Sequence, residues 1–418
     1  MAEQSDTLGS IGLNPAHYIQ PPPVPIIVSE WAGLIPLAFH LASSQDDYTT
    51  AGDISLLGRL PVTLFPPLGA FAGVARLMER GTNYLDYAST KGASSQTVWD
   101  VKYGGSFPVA NGAASAAIVS YLSKKHRATL LEKCYHASHA PRSQILNIYE
   151  FGRKERATSS FRILQRSMYW QPVLIGFLVG LCGLFAILGA FGTAAIALTC
   201  AVSRAFALSI RFERPRGYLQ TTEDYDASML VAAHRNALEW HLFTGDRGVV
   251  DTLLNKPMIE VPKGSSRTRA TSLWFRVADT TQLIAMTFTA ANKGWDGLCL
   301  VLLLAAHYVL LWGLGRQSLA GDWLKQNDIT VHTRCLEFSG RHPMIGTIQV
   351  LTETGNARWM DEILESTPRR ATWLAALKLP AEESILFDEH LGQDERTNVS
   401  NNRKWTQEAV ELAKTLHC

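Results

Sequence analysis

Apolar positions along this chain are gathered into two long blocks. Val173 to Ser203 runs for 31 residues without a charged side chain, and Gly297 to Gly315 reads GLCLVLLLAAHYVLLWGLG. A bilayer core of about 30 Å needs roughly 20 apolar residues of helix, so both blocks read as membrane segments. The first is too long for one comfortable helix, at about 46 Å for 1.5 Å per residue. Gly189-Ala-Phe-Gly192 offers a turn near its middle, which predicts two helices over about 172–190 and 193–211. The second block becomes a hairpin if its first arm begins near Leu273 and Asn292–Asp296 forms the turn.

Other apolar stretches are weaker. Trp31–Leu41 and Leu60–Ala75 are too short to span, and Pro66–Pro67 breaks a helix in the latter. Tyr103–Ser123 is uncharged but built from Gly, Ala and Ser, which suits a buried or interfacial helix better than a span. Ser228–His234 and Leu238–Phe243 flank Arg235–Asn236 and predict a β-hairpin. Asp246 then stands as the N-cap of a short helix over 249–254.

The fold expected from this pattern is a mainly α membrane protein, two transmembrane helical hairpins with a small α+β cytosolic insert. Its divisions are a membrane-apposed region (1–171), a transmembrane hairpin (172–211), the insert (212–278), a second membrane hairpin (279–315) and a cytosolic tail (316–418). Arg153, Lys154, Arg156, Arg162 and Arg166 precede the first block, and Arg211, Arg214 and Arg216 follow it. The positive-inside rule puts that side in the cytosol. The expected location is an internal membrane such as the endoplasmic reticulum, with the bulk of the chain facing the cytosol.

Composition narrows the chemistry. Charged residues make up 18% of the chain and the net charge is +2, so no basic field argues for nucleic acid. The six cysteines form no CxxC pair. No P-loop, GxSxG elbow, HExxH helix or kinase signature is present, so no cofactor is implied. Cys134, His136 and His139 are three soft donors without an evident fourth, and an ordinary amphipathic segment explains them better than a metal. Glu223, Asp224 and Asp226 read as a solvated turn. His307 sits inside the second apolar block, where an ionisable group has either a functional role or a hydrogen bond to a neighbouring helix. The densest constellation is His234, Glu239, His241, Asp246 and Arg247 around Trp240. On a hairpin, Glu239 and His241 share one face. Acid, base and guanidinium together can polarise a carbonyl or move a proton. The competing reading is a structural ion pair between Arg247 and Asp246 or Asp251.

Several short stretches carry a resemblance: Arg214-Pro-Arg-Gly-Tyr218, Met229–His234, Gly245–Asp251, Leu254-Asn-Lys256, Lys293–Gly297 and Arg358–Ile363. Over roughly 165–375 the chain resembles a family of filamentous-fungal multi-pass membrane proteins associated with natural-product gene clusters. That family has no general activity. One such cluster, for the diterpene antibiotic sordarin, needs an enzyme that closes a norbornene by Diels–Alder reaction. The resemblance implies a membrane-embedded accessory enzyme of secondary metabolism, a cofactor-independent cyclase of the pericyclase or Diels–Alderase type. Its partners would be a lipophilic terpenoid or polyketide intermediate, membrane lipids and other pathway enzymes. A non-enzymatic membrane scaffold and a transporter subunit are the alternatives.

Overall fold

The computed structural model describes residues 22–43, 47–60, 68–90, 95–133, 143–153, 161–210, 212–261, 266–292, 294–314, 316–377 and 393–417. Cys134, His136 and His139 lie outside these. At its centre is a six-stranded mixed sheet. The strands are β1 (Thr97–Asp100), β2 (Ser106–Pro108), β3 (Gln144–Arg153), β4 (Ala227–Ala232), β5 (Glu239–Gly245) and β6 (Ile329–Phe338), in the order β2-β1-β4-β5-β3-β6. Only β3 and β5 are parallel; every other pairing is antiparallel. The strands from 212–278 are therefore central strands of a sheet whose remaining members come from 97–153 and 329–338.

Each face of the sheet is covered because each strand alternates apolar side chains to both sides. Val98, Tyr149, Phe151, Met229, Val231 and Phe243 face a layer made by α2 (Asp47–Leu57), α5 (Gly112–Lys133), α8 (Arg247–Leu254) and α11 (Arg316–Gln326). Trp99, Leu146, Leu230, Trp240, Leu336 and Phe338 face α12 (Arg341–Leu351), a 3-10 turn at Arg358–Met360, α13 (Pro368–Ala376) and α14 (Gln393–His417). The uncharged stretch 103–123 is thus no span: Ala114, Ile118 and Leu122 of α5 pack on the sheet.

The remaining helices form a bundle. α6 (Phe161–Ile187) and α7 (Phe191–Ser209) pack on each other, and α7 also packs on α9 (Ser266–Asn292). α1 (Ile26–Ser43) lies against α9 and α10 (Trp295–Leu314). A third group, α3 (Ala70–Arg80) with α4 (Thr82–Thr90), packs between α9 of the bundle and α2 of the sheet's helical layer through Phe71, Leu77, Phe212, Ile259 and Phe275.

The expected pair of transmembrane hairpins is not what this chain forms. Among the described residues only α7 is long and apolar enough to cross a bilayer, and 61% of its apolar window is buried inside the protein. Pro172–Ile187 and Trp295–Val309 are apolar over shorter lengths. The break near Gly189 exists, but it separates α7, held in the interior, from a partly exposed α6. Length and apolar composition do not distinguish a lipid-facing helix from one packed in protein, and the strands β3 and β6 lie where no sheet was expected. The even number of spans that placed both ends in the cytosol has no support.

The bundle depends on a cap supplied from a distance. α7 begins after Ala190, which has no side-chain acceptor for the first free N–H groups. Asp296, in the first turn of α10, takes that place. Its carboxylate accepts from the backbone N–H of Gly192 and of Thr193, each at 2.8 Å, and from Thr193 Oγ1 at 2.6 Å. Asp296 is buried, so each contact matters more than on a surface. Asp296→Ala leaves buried donors unpaired and is expected to cost about 2–3 kcal/mol. Thermal unfolding should register that loss; a melting curve matching the parent's would refute the cap.

Candidate functional site

The five expected site residues do not converge. β5 carries Glu239 at its start and leads to Asp246 and Arg247 after its end, up to about 25 Å away at 3.3 Å per residue. His234 lies in the exposed turn between β4 and β5, where its Nδ1 accepts from the Asn236 N–H. Glu239 and His241 do share one face of the hairpin. There Asn147 Nδ2 donates to Glu239 Oε1 at 2.9 Å, and the His241 ring stacks on Tyr149 at 6.0 Å. Burial pushes the His241 pKa below its usual value, and the nearby Glu239 charge acts in the opposite direction.

Asp246 and Arg247 have local structural roles. Asp246 caps α8, its side chain accepting from the Val249 N–H at 2.9 Å. Arg247 Nε lies 3.1 Å from Glu223 and 3.5 Å from Asp251. Its guanidinium also sits over the rings of Tyr225, at 4.7 Å, and Tyr103, at 5.2 Å. Burial raises the Asp251 pKa while Arg247 and Lys256 draw it down. This network pins the 213–226 loop to the N-terminus of α8.

A cleft of about 520 Å³ lies on the opposite face of the same hairpin. Its floor follows from strand register. Ser228 pairs with Thr244, Thr244 with Glu150, and Glu150 with His332, so one row of polar side chains crosses β4, β5, β3 and β6. Neighbouring strands are about 4.8 Å apart, so these groups are near one another. The next row is Leu242, Ile148 and Arg334. Lys102, from the β1–β2 turn, and Asp226 stand at one wall, with Thr352 and Thr354, just beyond α12, at another. The Lys102 ammonium lies 3.5 Å from the Tyr225 ring centroid, which links the cleft to the Arg247 network.

At the rim the backbone is tightly constrained. Gly245 has φ +99°, and a Cβ there would lie 2.2 Å from the Phe151 carbonyl oxygen. Only glycine meets both demands, and it lets the Asp246 N–H donate to Phe151 O at 2.8 Å.

Sequence reasoning missed Glu150, His332, Arg334 and Lys102. The alternation in QILNIYEFGR and ITVHTRCLEF was a usable signal for two strands. The cleft combines carboxylates with cationic and neutral donors, a set suited to orienting and polarising a carbonyl or carboxylate. Among the described residues no cluster of three His, Cys, Asp or Glu side chains is arranged to hold a metal. No protein-family model, curated protein or solved structure matches this chain.

The partly buried His241 generates a pH prediction. Its folded pKa lies below the ordinary 6.5, so the unfolded chain binds more protons as pH falls past that value. Stability from this group is present above pH 6.5 and is lost on acidification. His241→Gln should flatten the fall in melting temperature below pH 6.5 relative to the parent. An unchanged pH profile would show that the imidazole stays solvated.

Proposed function

We propose that this chain is a membrane-attached enzyme of fungal natural-product formation, a cyclase acting on a lipophilic terpenoid or polyketide intermediate that bears a carbonyl or carboxylate. The observation that carries the membrane part is the apolar exterior of the bundle. Ile26, Leu273, Ile284 and Val309 are 71%, 65%, 63% and 68% exposed, while Thr193, Gln282, Thr289, Arg204 and His307 are buried. Large apolar side chains outside, with polar side chains buried beside an apolar core, suit a helical bundle bathed in lipid, where polar groups pair across helices. Large exposed apolar areas are uncommon on a protein surrounded by water alone. Small-residue contacts agree: a Cβ on Gly33 of α1 would lie 2.8 Å from the Ala290 Cα of α9. In this reading the bundle sits in the bilayer without the two spanning hairpins.

The enzymatic part rests on the cleft and on the fungal resemblance. A lipophilic substrate partitions into the bilayer, and the chain that reaches the bilayer also carries the sheet with its polar row. Arg334, Lys102 and His332 would donate to the substrate oxygen, drawing electron density from the conjugated system that must close. Ile148, Leu242 and Leu351 would press the carbon skeleton into one conformer. Both effects lower a cyclisation barrier, the second through orientation alone.

Two measurements test this. The full-length protein should remain in the membrane pellet after carbonate and leave only with detergent; recovery in the carbonate supernatant would refute the membrane reading. In a producing strain whose copy is deleted, the cyclised product should disappear and its open precursor accumulate. At normal protein levels Arg334→Gln should lower product formation by about 10²–10³, as for a lost positioned donor, and Glu150→Gln, which removes the carboxylate from the polar row, should lower it as well. His234→Ala should leave it unchanged. Unaltered metabolites in the full deletion would end the enzyme reading, and normal output from both cleft variants would place any chemistry elsewhere.

A further inference from the structure

A second cavity, of about 340 Å³, lies between α12, α13 and α14, at the opposite end of α12 from the sheet cleft. It follows from how these helices pack. α12 carries His342 in its first turn, α13 brings Arg369 and Trp373, and α14 brings Asn402 and Trp405. The His342 ring stacks on Trp405 at 4.2 Å and 15°, and it meets the Trp373 ring edge-on at 5.6 Å. The Arg369 guanidinium lies 5.2 Å from the Trp405 ring centroid. The walls are therefore planar, aromatic or guanidinium surfaces.

Among the described residues, two side chains lining this cavity carry a buried polar atom without a partner: the Trp373 Nε1–H donor and the Asn402 Oδ1 acceptor. Trp373 is 1% exposed, so its N–H does not reach bulk solvent. Folded proteins leave few such groups unpaired, because each carries its desolvation cost without return. Here the orphan donor and the orphan acceptor belong to two side chains that line one cavity. A single water occupies about 30 Å³, far less than this space, whereas organic ligands fill pockets from about 300 Å³ upward.

Charge indicates the kind of ligand. Arg370 is engaged by Asp361 at 2.6 Å and by the Leu364 carbonyl, so Arg369 is the cation offered to the cavity. Glu365 at the exposed rim supplies a further acceptor. Burial, Arg369 and Arg341 lower the His342 pKa to about 4, which keeps that ring neutral and able to stack at neutral pH.

We propose that this cavity is a binding site for a small aromatic carboxylate that also carries a hydrogen-bond donor. The carboxylate accepts from Trp373 Nε1–H and pairs with Arg369, the ring lies among Trp405, His342 and Trp373, and the ligand's donor meets Asn402 Oδ1. The site is independent of the sheet cleft and does not rest on the cyclase reading.

The test is isothermal titration of the full-length protein in detergent with 4-hydroxybenzoate as probe. Saturable binding is expected. Benzoate, which lacks the donor, should bind about tenfold more weakly, as expected for one lost hydrogen bond. Neutral 4-hydroxybenzamide should also bind more weakly than the acid. Trp373→Phe keeps the ring and removes only the N–H; it should weaken binding with circular dichroism unchanged. If that variant misfolds, Arg369→Gln, on an exposed side chain, and Asn402→Ala decide the question. Absence of saturable heat with any of the carboxylates, or equal affinity in Arg369→Gln and the parent, would overturn the proposal.

Discussion

The partly buried guanidinium of Arg214 ties the end of α2 to the segment that follows α8. Its Nη1 donates to Ser55 O at 2.7 Å and to Met258 O at 2.8 Å, and its Nη2 donates to Leu56 O at 2.9 Å. Ser55 and Leu56 end α2, so the cation sits where the helix dipole is negative and free carbonyls need donors. Met258 belongs to the segment that leaves α8, and Tyr218 lies under the guanidinium at 4.6 Å. One side chain thus ties the helices beside the bundle to the loops that carry the sheet's central hairpin. Lysine could not replace the fork, because a single ammonium cannot serve three carbonyls in this planar arrangement. The motif from Arg214 to Tyr218 therefore has a structural reason to exist.

On either side of that junction the chain differs in what it exposes. Around the sheet, tryptophan and branched aliphatic side chains fill two cores, with hydrogen-bonded Asn111, Thr252 and Gln349 buried among them. In the bundle, leucine, isoleucine and methionine fill the core together with threonine, glutamine, arginine and an aspartate, and further leucine, isoleucine and valine side chains stand outside. Asp296 shows how such a polar side chain is held: it satisfies the N-terminus of α7 from another helix. The proposed membrane attachment gives the bundle's apolar exterior a lipid solvent.

The hairpin of β4 and β5 separates two kinds of polar residue. On one face Glu239 and His241 sit against Tyr149 and Asn147. On the other, Ser228 and Thr244 continue into Glu150 and His332 to make the cleft floor. Arg247, the most chemically suggestive residue in the linear sequence, is held by two carboxylates and two tyrosine rings beyond the strand's end. Its charge shapes the loop beside the cleft and is already committed to that task.

Local signals in the sequence determined the local elements: the turn near Gly189, the hairpin around Arg235–Asn236, the opposite faces of Trp240 and His241, and the cap at Asp246. Each depends on contacts within a few residues, or on a two-residue alternation that any strand must obey. Tertiary structure alone decided the rest. Whether α7 faces lipid or other helices is set by what packs around it, and its apolar composition suits both. Which strands join the hairpin is set by pairings across roughly 90 to 190 residues of chain, and so is the row Thr244, Glu150, His332, whose members are far apart in sequence and adjacent only through register. Linear spacing grouped His234, Glu239, His241, Asp246 and Arg247. The pleat of the strand sent them to different faces and ends, because adjacency in an extended chain is adjacency along a line and a site requires convergence across one.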